Sequence, residues 1–174
     1  MAAALAIEQL HAIAHRASAH WPLDVTSLTL VSQSENTVFR LETSDRGSFA
    51  LRLHRPGYHS LPELESEQIW TRALAEGGIA IPKVEPTEHG RYYVEASLGT
   101  AETTRQAGLI QWLPGEALAE VLADQPPDSL LHDTYFALGA LIAQCHLATL
   151  AWTPPAHFSR HAFDHDGFVG DAPF

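Results

Sequence analysis

Along residues 48–54, Phe49, Leu51 and Leu53 alternate with Ala50, Arg52 and His54, so the two sets face opposite sides of a predicted strand. Runs at 27–33 and 37–42 read as two strands before it. Ser44-Asp45-Arg46-Gly47 marks the turn into the third, and Arg55-Pro56-Gly57 stops it. A helix follows over 61–76, with Ser60 as its cap ahead of Pro62 and Gly77-Gly78 at its end. Residues 82–86 read as extended. Glu88-His89-Gly90 turns into a strand at 92–96, and an apolar strand at 106–113 ends at Pro114-Gly115. Upstream, Leu10, Ile13, Ala14 and Ala17 give 5–19 a weakly amphipathic helical pattern, closed by Trp21-Pro22. A short helix at 118–123 precedes Pro126-Pro127. The strongest helical pattern runs from Ser129 to Leu150, with Asp128 as its cap. Leu131, Tyr135, Leu138, Ile142 and Cys145 form its stripe, which Leu141 and Ala148 widen. Thr153-Pro154-Pro155 breaks that pattern, and a turn-rich tail follows. The plan is α+β: five strands with one inserted helix, a connector, then helices.

Composition narrows the partners. The formal charge of -11, from 10 basic and 21 acidic residues, argues against a general nucleic-acid surface or an anionic membrane. It leaves room for one anionic ligand in a locally basic pocket. Lys83 is the only lysine, so a phosphate-binding cation in this chain is expected to be an arginine. Cys145 is the sole cysteine, which excludes an internal disulfide, and it is expected to be a small core residue. The apolar start, 1–10, carries Glu8 and no basic region, and reads as helix rather than signal peptide. No apolar run approaches a membrane span of about 20 residues, so no membrane is expected and a cytoplasmic location follows by default.

The residue with the clearest chemical demand is Arg52, mid-strand and opposite three apolar neighbours. A cation held there needs a carboxylate partner, and Glu67 on the following helix can supply it. So placed, the guanidinium would meet phosphate oxygens in a fork. The plain alternative is an exposed strand arginine and a solvated helix glutamate. The surrounding order of elements favours the paired reading. His157, His161 and His165 recur every four residues, a spacing that on a helix would make one metal-binding face. Pro154-Pro155 and Gly167 flank the run, which therefore reads as a solvated segment, and no metal ligand is assigned in this chain. The remaining histidines are expected mainly at the surface, Trp70 and Trp112 in packing, and Trp21 and Trp152 carry no signal.

The stretch from Leu51 to Tyr58, Leu-Arg-Leu-His-Arg-Pro-Gly-Tyr, is followed by Glu67-Gln68-Ile69-Trp70-Thr71-Arg72-Ala73-Leu74 and Ile81-Pro82. This ordered set resembles the aminoglycoside phosphotransferase family, a group that includes choline-kinase-like and homoserine-kinase-like enzymes. The likeness extends through the run from Leu109 to Glu116, similar to that family's interlobe hinge. The run from Leu138 to His146 is similar to its first large-lobe helix, with Cys145 where a leucine is usual. The resemblance spans roughly Thr26 to Phe174. It implies a protein-kinase-like N-lobe, a five-stranded antiparallel sheet plus one helix, followed by a partial helical C-lobe. The segments would be an N-terminal helix (1–25), the N-lobe (26–113) and the hinge with an incomplete C-lobe (114–174).

The resemblance further implies ATP with Mg2+ and a small hydroxyl-bearing acceptor. Arg52 takes the place of the phosphate-contacting lysine, and Glu67 that of its helix partner. The turn at Ser34 and Asn36 takes the place of the loop over the phosphates, although it lacks glycine and fits an ordinary hairpin equally well. The Gln111 carbonyl and the Leu113 N–H would read the adenine edge. A kinase catalytic loop needs an Asp and a downstream Asn. Asn36 is the only asparagine here, so no catalytic residue is assigned and the metal ligands are expected in a C-terminal part that is missing. Phe163-Asp164-His165-Asp166-Gly167 is read as the connector before that loop. The expectation is a nucleotide-binding half, catalytically incomplete, whose uncovered helix at 129–150 self-associates, aggregates or requires the rest of the lobe. The alternative is a non-catalytic kinase-like binding or interaction module.

Overall fold

The computed structural model describes residues 5–161 and 164–170. Parts of the sequence reading that fall on residues 1–4, on Ala162 and Phe163, or on 171–174 lie outside the described residues. The elements run α1 (Ile7–Ser18), β1 (Val25–Gln33), β2 (Thr37–Thr43), β3 (Ser48–Leu53), α2 (Leu61–Glu76), β4 (Tyr93–Ala96), β5 (Arg105–Gln111), α3 (Leu118–Ala123), α4 (Asp128–Ala151) and α5 (His165–Val169), with a 3₁₀ turn at Ala101–Thr103 before β5. They divide between two compact units. The first holds residues 1–67, 82–112 and 159–174, and the second holds 68–81 and 113–158.

The first unit is built on one antiparallel sheet of five strands in the order β1-β2-β3-β5-β4. Strand alternation gives it two chemically different faces. Phe39, Leu41, Phe49, Leu51, Leu53, Val94, Ala107 and Leu109 are buried on one of them. That apolar face is covered by α1, whose Leu10, Ile13, Ala14 and Ala17 repeat at i, i+3, i+4 and i+7 and are all buried against it. His11 adds an edge contact to Phe39, with ring centroids 4.8 Å apart. Full burial of a leucine or isoleucine contributes about 1.5–3 kcal/mol, so this helix is a main source of the unit's core. Its pattern looks weak in sequence because two of its four core positions are alanines. Trp21, expected to be uninformative, is in fact 3% exposed, and its indole N–H donates to the Glu85 carbonyl at 2.8 Å.

Turn chemistry sets the strand connections. Gly47 takes φ +78°, and the Thr43 N–H donates to its carbonyl, closing β2 to β3. Residues 83–85 run beside β5 ahead of β4: the Glu85 N–H donates to Leu109 O and the Gln111 N–H to Lys83 O. The start of α2 is locked reciprocally. Ser60 N–H and Oγ donate to Glu63 Oε2 at 2.7 and 2.8 Å, while the Glu63 N–H donates to the Ser60 carbonyl. Its end carries Gly78 at φ +85°, as the Gly77-Gly78 pair predicts.

In the second unit, α4 starts after Pro127, and Asp128 is its first residue rather than its cap. The Trp70 indole N–H donates to Thr149 Oγ1 at 3.1 Å. None of the described residues of α4 is buried. Cys145 is therefore half-buried on an uncovered helix, not a core residue. Phe136, Leu147 and Leu150 are 72%, 67% and 83% exposed. With 24 residues and a mean hydropathy of 1.3 over its most apolar window, α4 is long and apolar enough to cross a membrane. This corrects the expectation that no stretch reaches that length. Length and composition are the whole of that observation, and Asp128, His132, Asp133 and His146 sit along the helix.

Candidate functional site

The polar demand of the sheet's second face centres on β3. Arg52 lies between Val38 of β2 and Gly108 of β5 in register, and Ala50 between Arg40 and Ile110. The next residue on this side, His54, donates its backbone N–H to the Gln106 carbonyl and packs its ring edge-on to Tyr93 at 5.5 Å. Gly108 is a requirement of packing here: a Cβ on it would stand 2.8 Å from Tyr93 Cε1, and Tyr93 is itself buried.

The expected ion pair is formed. The Arg52 guanidinium lies 3.3 Å from Glu67 Oε1. Glu67 reaches it from the second turn of α2, which Leu64 and Ser66 anchor as buried residues. A second cation, absent from the sequence reading, shares the same carboxylate: Arg160 lies 3.3 Å from Glu67 Oε2 and also donates to the Glu63 carbonyl at 3.4 Å. The preceding Ser159 N–H donates to Ser66 Oγ at 2.9 Å, which holds this segment along α2. Ninety-three residues separate Arg160 from Glu67, and no periodicity or motif in the chain links them.

His54 belongs to the same cluster. It is 5% exposed, against the expectation that the histidines are surface residues. Burial, reinforced by the nearby Arg52, His59 and Arg160, lowers its pKa from 6.5 to about 3. It is therefore a neutral imidazole at physiological pH.

The other predicted site residues stand apart from this pair. In the turn between β1 and β2, the Ser34 N–H donates to the Asn36 carbonyl at 3.0 Å. The Asn36 side chain accepts from the Arg55 N–H at 3.4 Å, so this turn is tied to the end of β3. Glu35 reinforces the tie with a 2.5 Å pair to Arg55. A cavity of 610 Å³ opens beside the turn. Ser34, Thr37, Leu53, His54 and Arg55 are among its lining residues, whereas Arg52 and Glu67 are not. Gln111 ends β5 opposite Phe49, and the Trp112 N–H that follows donates to the Ser48 carbonyl. Trp112 also receives the Arg40 guanidinium 5.0 Å from its ring centroid. Leu113 belongs to the second unit and is exposed.

The structure thus sets a half-buried cation of the central strand β3 against a carboxylate of the helix that follows it, on a five-stranded antiparallel sheet. The sequence matches the model of the "Phosphotransferase enzyme family" over residues 27–172, and the chain belongs to that family. Among solved structures it is similar to a microcompartment-associated aminopropanol kinase, at 30% identity and a TM-score of 0.74. That match covers 94% of this chain and 48% of the other. It is also similar in fold to an amicoumacin kinase in complex with AMP-PNP and Ca2+, at 17% identity and a TM-score of 0.68, covering 91% of this chain and 45% of the other. The chain thus spans about half the length of these kinases. No curated protein sequence matches it.

Proposed function

We propose that this chain supplies the nucleotide-binding half of an ATP-dependent small-molecule kinase, with Arg52 as the phosphate-contacting cation. The observation that carries the reading is the Arg52–Glu67 pair at 3.3 Å on the sheet's second face. Arg52 is in the strand, and Glu67 in the helix that follows it. The carboxylate orients the guanidinium through Nη1, and its other in-plane N–H groups can meet phosphate oxygens. Val38, Ala50 and Ile110, on the same sheet face, offer an apolar surface for the base. In this reading the turn at Ser34 and Asn36 lies over the phosphates, and the backbone at Gln111 and Leu113 reads the base edge. The acceptor is a small molecule bearing a hydroxyl, and the location is cytoplasmic.

The residues around Arg52 do not fit an ATP-bound Mg2+ on their own. Glu67 is shared by two arginines, and Asn36, the only asparagine, is engaged with Arg55. The ligands of such a metal belong, in this reading, to the part of the kinase fold that this chain does not span, and no step is derived through it. The same asparagine count supports a second reading, a kinase-like module that binds nucleotide without transferring phosphate.

The test is titration of ATP with Mg2+ into the purified chain and into Arg52→Ala, with circular dichroism to show that the variant is folded. Loss of binding in the folded variant is expected. Equal affinity in both chains would overturn the phosphate role of Arg52.

A further inference from the structure

Three ligand-bearing side chains converge where the segment after α4 meets the start of α2, and the nucleotide reading does not use them. His59 stands just ahead of the Ser60 cap, Glu63 lies in the first turn of α2, and His161 follows Arg160. Their candidate donor atoms all lie within 4.8 Å of one another. His161 Nε2 is 2.9 Å from Glu63 Oε1, and the two imidazole centroids are 5.5 Å apart. A separate observation points to a missing partner. Among the described residues, His59 Nδ1 is a buried side-chain nitrogen with no hydrogen-bond partner, and such an atom is costly to leave unmade.

We propose that His59, Glu63 and His161 bind one divalent transition-metal ion of the zinc class. Two imidazoles and one carboxylate are a donor set that such ions favour, leaving a fourth position for water or an exogenous group. Bonds of about 2.0–2.1 Å to a tetrahedral ion put its ligands about 3.3 Å apart. Metal binding would draw the three donors from within 4.8 Å of one another to that spacing by side-chain adjustment, and the His161 side chain is partly exposed.

The supporting shell is already built. Ser60 holds Glu63 Oε2 through two hydrogen bonds, which leaves Oε1 turned to the histidines. Burial works against charge on Glu63. The hydrogen bonds from Ser60, together with His161 and His59, nevertheless hold its carboxyl below the usual range. The nearby cation Arg160 is engaged by Glu67. Bound metal would fasten the segment carrying Ser159, Arg160 and His161 to the first turn of α2.

The experiment uses the full chain stripped with chelator, then titrated with Zn2+ by calorimetry and with Co2+ by visible absorption. One ion per chain is expected, with tetrahedral Co2+ absorption and a rise in Tm on adding Zn2+. His161→Ala, on an exposed segment, should remove this binding while the chain stays folded, and His59→Ala should do the same. His157→Ala with His165→Ala, at surface histidines outside the cluster, should leave it unchanged. Ser60→Ala should weaken Zn2+ binding roughly 10–100-fold, as loss of a ligand-orienting group does. Binding that survives both His59→Ala and His161→Ala, or that disappears with the surface pair, would overturn the site. So would the absence of a Zn2+-dependent Tm shift in the unmodified chain.

Discussion

Arg160 sits 3.3 Å from Glu67 Oε2, on the same carboxylate whose other oxygen holds Arg52. One anion is therefore divided between a strand cation and a cation from the far end of the chain. Both pairs are partly exposed, so solvent screens them, and each is expected to couple by roughly 0.5–1 kcal/mol. Double-mutant cycles in urea over Glu67→Gln with Arg52→Ala, and Glu67→Gln with Arg160→Ala, measure this. Strict additivity in the second cycle would show that Arg160 does not share the carboxylate in solution.

His54 makes stability depend on pH in a defined direction. Its pKa falls from 6.5 to about 3 on folding, so between those values the unfolded chain binds more protons than the folded one. Stability is complete above pH 6.5 and is lost as pH falls toward 3, by up to about 1.4 kcal/mol per pH unit from this residue. His59, also lowered by burial first and Arg160 second, acts with the same sign. Urea midpoints measured between pH 7 and pH 4.5 should decline with acid, and His54→Asn should flatten the slope. A parallel slope in the variant would show that His54 is not the buried neutral group.

Gly108→Ala should destabilise the sheet by about 1–3 kcal/mol, because the added methyl meets the buried Tyr93 ring at 2.8 Å. Tyr93→Leu should relieve part of that cost in the double variant. Thermal denaturation of the four chains checks it, and an unchanged Tm for Gly108→Ala alone would contradict the close packing.

The uncovered apolar surface of α4 is expected to drive self-association of the isolated chain, since exposed apolar surface of this extent finds a partner. Light scattering should show mass rising with concentration, and Leu147→Gln with Leu150→Gln should reduce it. A monodisperse monomer across the range would argue against it. The asparagine count also predicts no ATP-dependent phosphorylation by this chain alone, and robust turnover would overturn the reading of a nucleotide-binding half.

Local patterning in the sequence was enough to determine the strands, the α2 helix and its cap and the two faces of β3, and the order of these elements, more than either residue alone, favoured the Arg52–Glu67 pair. Period-two alternation, turn glycines and the Ser60–Glu63 spacing are short-range, and the pair joins consecutive elements only 15 residues apart. The likeness to kinases rested on the order of such segments. Tertiary structure alone decided that α1 closes the apolar face, because a helix with two alanines among its core positions shows little contrast in sequence. It alone placed Trp21 and His54 in the interior, where the neighbours that bury them come from other strands. It alone brought Arg160 to Glu67 and His161 to His59 and Glu63. Contacts across 93 residues are made by chain topology, and single-sequence periodicity carries no information about which distant side chains that topology will join.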